Sequence, residues 1–131
     1  INKNEFTPNA KNQIAMYISG CWYSLELKKS LISNDCVDKL DPAILSNKIL
    51  APILNITDER VDKNISFESG ATPLSELIKK VDSGEFAIAF ILKPITISAI
   101  KEVADNNKFM PPKSTYIEPK LRSGLTIYPI E

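Results

Sequence analysis

The chain has no histidine in its 131 residues. A histidine general base and any zinc site of mixed cysteine and histidine are therefore excluded within it. It has only two cysteines, Cys21 and Cys36, in different segments. In a reducing compartment they read as buried or idle thiols rather than a disulfide. It also has no charge excess, with 16 Lys and Arg against 16 Asp and Glu. Phosphate neutralisation dominates nucleic-acid affinity, so a nucleic-acid partner is disfavoured. No apolar run approaches the ~18–20 residues of a membrane span, and no signal peptide opens the chain. No membrane partner and a cytoplasmic location are expected.

What is present suffices for a core. Hydrophobic residues make up 44% of the chain, and a domain of this size buries about two-thirds of the surface its unfolded form exposes. The first ten residues are polar, include Thr7-Pro8-Asn9, and read as a tether; residues 11–131 read as one domain. The chain opens on Ile1 rather than Met, which reads as a piece of a longer polypeptide with an upstream region.

Two β-favouring stretches, Ile14 to Ile18 and Cys21 to Leu25, flank Ser19-Gly20 and predict a hairpin. In the second arm Trp22, Ser24 and Glu26 share one face, Tyr23, Leu25 and Leu27 the other, and Trp22 is expected to pack. Asp41-Pro42 predicts a helix start, with Asp41 as cap and Ile44, Leu45, Ile49 and Ile53 recurring at helical spacing until Pro52 disturbs it. Ile65-Ser66-Phe67 is a short strand candidate. Thr72-Pro73 predicts a second helix, with Thr72 as cap, Pro73 at its first position, Leu74, Leu77, Ile78 and Val81 inward and Ser83-Gly84 as its stop. The unbroken run Phe86–Leu92 reads as a central strand buried on both faces. A third helix is predicted from Thr96 to Asp105, with Ile97, Ile100, Val103 and Ala104 inward and Asn106-Asn107 ending it. A last strand over Leu125–Ile130 is placed at an edge by Pro129. This order predicts an α+β fold: a mixed, largely antiparallel sheet with about three helices packed on it.

Chemistry-bearing residues concentrate between Met110 and Leu125. Lys113, Lys120 and Arg122, with the hydroxyls of Ser114, Thr115 and Ser123, are a candidate anion or phosphate site on a proline-stiffened connection. Lys113-Ser114-Thr115 is no phosphate-cradling P-loop, because Pro111 and Pro112 lack the N–H groups that such a loop supplies. The alternative is a rigid connector whose charges are solvated and whose Met110 and Tyr116 pack. Asp58, Glu59 and Asp62 around Arg60 read as a solvated turn, and Glu102 with Asp105 as exposed helix charges. No nucleophile elbow, dinucleotide fingerprint or metal cluster is present, so no catalytic residue can be named.

The run from Met110 through Tyr116 to Pro119-Lys120-Leu121 and Ser123-Gly124-Leu125 resembles the C-terminal motif of a largely bacterial family catalogued as domain of unknown function 1015. Leu40–Leu45, Ile49–Leu54 and Val103-Ala104-Asp105 are similar to it as well. The resemblance implies a polypeptide about three times this length. Its upstream half would carry an Asp-Gly-His-His-Arg-type motif like that of ParB-like, sulfiredoxin-like and free-serine-kinase proteins. That motif is absent here, so this chain alone is not expected to be catalytically complete and needs no cofactor of its own. ATP or ADP would belong to the full-length protein. Three readings follow: part of a nucleotide-dependent small-molecule kinase, a non-catalytic module that docks on its own upstream domain or forms a homodimer, and a nucleic-acid-associated regulator.

Overall fold

The computed structural model describes residues 5–115. β1 (Gln13–Ile18) and β2 (Cys21–Glu26) form the expected hairpin, in register from Ile18↔Cys21 to Gln13↔Glu26. Ser19 and Gly20 both take positive φ, 50° and 74°. That is the mirror-image two-residue turn whose twist matches the flanking strands. β3 (Ala89–Ile91) pairs antiparallel along the other side of β1, which gives the order β2-β1-β3.

The sheet carries apolar side chains on both faces. Ile14, Leu25 and Phe90 share one face and pack with Ile44, Leu45, Leu50 and Ile56. Ala15, Tyr17, Trp22, Ala89 and Ile91 share the other and pack with Ile78 and Val81. Trp22 is only 2% exposed, as its large apolar area requires, and its ring lies tilted against Tyr17 at 4.9 Å between centroids.

On the first face lies α1 (Asp41–Leu45), which runs on as a π-helical turn over Ser46–Leu50. Its cap position is Leu40, not Asp41; the Asp41 carboxylate accepts from the Asn12 N–H at 3.1 Å and so ties α1 to the start of β1. The wider π turn shifts the inward position, so that Leu50 is buried while Ile53, expected inward, is 70% exposed. On the second face lies α2 (Leu74–Asp82), with Pro73 rather than Thr72 at its cap and Gly84 at φ 79° beyond its end.

Several expectations are corrected. Among the described residues the central strand is β1, not the run Phe86–Leu92. Pairing decides the position: only three residues of that run join the described ladder, along one side of β1. Ile65–Phe67 forms no strand; Ile65 packs against the Ile14 cluster while its backbone joins no ladder. α3 (Ile97–Asp105) is capped by Thr96, whose Oγ1 accepts from the Ala99 N–H at 3.3 Å. Ile97 is 85% exposed and Ala104 is exposed as well, both contrary to expectation; Val103, at 1%, and Ala99 carry the inward face. That face meets Cys36, Leu40 and Ala43, so α3 is anchored on the segment leading into α1.

Both cysteines are free thiols. Residues 5–10 of the expected tether are not wholly loose: Phe6 packs in the Trp22 cluster and Pro8 is buried. No helix among the described residues is long and apolar enough to cross a membrane.

Candidate functional site

α3 delivers the chain to the candidate loop and is held by charge as well as by Val103. The Asn106-Asn107 ending is seen: Asn107 takes φ 53°, and its N–H reaches the Ala104 carbonyl at 2.9 Å. Just beyond it, the Lys108 ammonium donates to the Asp35 carboxylate. Asp35 also accepts from the N–H groups of Val37, at 2.8 Å, and Asp38, at 3.2 Å. The Lys108 hydrogen bond, followed by those two backbone bonds, holds the Asp35 carboxyl down at about 2. One helical stretch earlier, Lys39 bonds to Glu102. Two ion pairs and a buried valine therefore clamp α3 to residues 35–43.

From this anchor the loop leaves through Met110, half-buried against the Val103 cluster. Lys113 takes the left-handed conformation, φ 54°, and is exposed. The Ser114 hydroxyl turns back and donates to the Pro111 carbonyl at 2.6 Å, which closes a tight turn. Thr115 is exposed. Of the six candidate anion ligands, Lys113, Ser114 and Thr115 are thus placed, while Lys120, Arg122 and Ser123 lie outside the described residues, as do Tyr116, Leu121 and the expected strand Leu125–Ile130. Within the placed part, the one proton of Ser114 is already given to a carbonyl, and Lys113 and Thr115 face solvent.

The other carboxylate groups read as structural. Arg60 grips Asp58 with two side-chain bonds, at 2.9 and 2.8 Å, and its own N–H adds a third. These bonds, the side-chain ones foremost, hold Asp58 at about 2. Glu102 is bonded to Lys39 and not paired with Asp105. Among the described residues no cluster of three metal-ligating side chains occurs.

Polar contacts that the sequence did not announce join distant segments. The Tyr17 hydroxyl donates to Asp82 at 2.8 Å across the sheet–helix boundary, and that bond raises the tyrosine pKa. The buried Gln13 amide accepts from the Asn9 N–H at 3.0 Å and donates to Ser24 and Glu26. Burial pushes the Asp41 carboxyl up, against the opposing pull of the Asn12 N–H. No local motif marks these residues, because their partners lie up to 65 positions away.

No family model matches the chain, no curated protein matches it, and no solved structure matches it.

Proposed function

We propose that the chain is a non-catalytic docking module, and that its Met110–Thr115 loop acts as a clasp rather than as a ligand cradle. The observation that carries this reading is the bond from the Ser114 hydroxyl to the Pro111 carbonyl. It takes the Ser114 proton away from any anion on the loop and stiffens the turn instead. Large apolar side chains on and beside α3 support it: Phe109 is 91% exposed and Ile97 nearly as much. Exposed side chains of this size are the usual anchors of an interface. The family resemblance supplies the occupant, the upstream region of the same longer polypeptide. A cytoplasmic setting goes with this reading, since both thiols are free.

The test compares stability in two contexts. Ile97→Ser and Phe109→Ser should leave the melting temperature of this chain unchanged while lowering that of the longer polypeptide. Equal behaviour in both contexts would sink the docking reading.

A second reading, part of a nucleotide-dependent small-molecule kinase with an anion on the loop, has one observation in its favour. The Lys113 ammonium is exposed and joins no ion pair among the described residues. Phosphoryl transfer relies on such cations. Calorimetric titration of ATP and ADP into the longer polypeptide, with and without Lys113→Glu, decides it. Binding that Lys113→Glu abolishes favours the kinase; no binding removes it.

A further inference from the structure

Between the end of β2, the turn that follows it and the π-helical turn lies a hollow of about 110 Å³, with Leu27, Leu31 and Ile44 as apolar walls. Ser33, Asp38, Asn47 and Lys48 also line it. A hollow of this size suits only a small ligand.

Four of the thirteen described Lys and Arg side chains, Lys39, Arg60, Lys80 and Lys108, have a carboxylate partner. Asp38 and Lys48 line one hollow yet pair neither with each other nor with any other described residue. The π turn that presents Asn47 and Lys48 is itself uncommon; the Ala51 N–H reaches the Ser46 carbonyl, five residues back, at 3.0 Å. Such turns are rare in ordinary helices and recur at functional sites.

A simple anion here would meet the Asp38 carboxylate, and a simple cation would meet Lys48. An uncharged apolar molecule would strip water from both. A zwitterion satisfies both, provided that its charges stand apart, because Asp38 and Lys48 do not reach each other. We propose that this hollow binds a small ω-amino carboxylate, with its ammonium on Asp38, its carboxylate on Lys48 and Asn47, and its methylenes against Ile44 and Leu27. The ligand has few atoms and the charged groups stand at a solvated rim, so binding in the millimolar range is expected.

The test is an amide-resolved NMR titration of the full chain with γ-aminobutyrate. Saturable shifts at residues 38, 44, 47 and 48 are expected. Asp38→Asn and Lys48→Gln, both at exposed positions, should each weaken binding about tenfold. The exchanged pair, Asp38→Lys with Lys48→Asp, should recover it. Butyrate or butylammonium acting as well as γ-aminobutyrate would reduce the site to an apolar dent. Alanine binding equally well would overturn the required charge spacing, and no saturable shift would overturn the site.

Discussion

Gln13 shows at the scale of one side chain how this fold accommodates polarity. Its amide is buried between the incoming chain and β2, yet it accepts from Asn9 and donates to Ser24 and Glu26. Gln13→Leu keeps the bulk and leaves the Asn9 N–H without its partner. It should cost about 1–3 kcal/mol in chemical denaturation. Asp41 is the opposite case, a carboxylate whose charge burial disfavours. Its folded pKa lies above the ordinary aspartate value of 3.8. The stability it contributes is therefore full below pH 3.8 and is lost as pH rises through the raised value. Asp41→Asn retains an oxygen for the Asn12 N–H and removes the charge. The variant should melt higher than the parent at pH 7, and that gap should close as the pH approaches 4. A parent that stays the more stable at neutral pH would show the carboxylate to be needed as a charge.

Elements form where short-range chemistry and long-range packing agree. The hairpin is the clearest instance, because Ser19-Gly20 between β-favouring arms specifies its own turn. Gly20→Ala would meet nothing within 4 Å, so its expected cost of about 1–2 kcal/mol is one of backbone conformation alone. The helix positions and the Asn106-Asn107 stop were legible for the same local reason. The sheet's centre and the inward face of α3 were not. Phe86–Leu92 is more apolar than β1, but two-sided pairing, not hydropathy, makes a strand central. Ile97 fits the apolar stripe of α3 by spacing, yet the partner surface, Cys36 to Ala43, selects Val103 and Ala99. The candidate loop was legible as a stiff, cationic connection; the inward turn of the Ser114 hydroxyl was not, since a hydroxyl's partner is set by turn geometry. The α3 clamp gives this scale its own prediction. Asp35 sits at about 2 against 3.8 for a free carboxyl, so its contribution is present above about pH 4 and fades as pH falls toward 2. Asp35→Asn should make α3 amides exchange faster at pH 6 and flatten the acid limb of the stability profile. Unchanged exchange would assign the anchoring of α3 to Val103 alone.

For the molecule as a whole, the distribution of the three apolar clusters among the described residues matters more than any one contact. Two lie on opposite faces of the sheet, centred on Ile14 and on Trp22. The third lies off the sheet and joins α3 to Cys36, Leu40 and Ala43. α1 links the systems, since Ala43 belongs to the third cluster while Ile44 and Leu45 belong to the first. A unit attached through one small cluster and two ion pairs should open more readily than a strand paired on both sides. Native-state hydrogen exchange should therefore give α3 amides a smaller opening free energy than those of Ala15 and Tyr17 in β1. Val103→Ala removes methyl groups at the centre of the third cluster and should destabilise that unit by about 2 kcal/mol. The effect should appear in α3 protection and be nearly absent from β1. Trp22→Ala should instead lower protection throughout, by about 3–5 kcal/mol, because the sheet is common to every global opening. If Val103→Ala lowers β1 protection as much as that of α3, the chain opens as one unit. The region around the candidate loop would then have no independent freedom to adjust to whatever docks against Ile97 and Phe109.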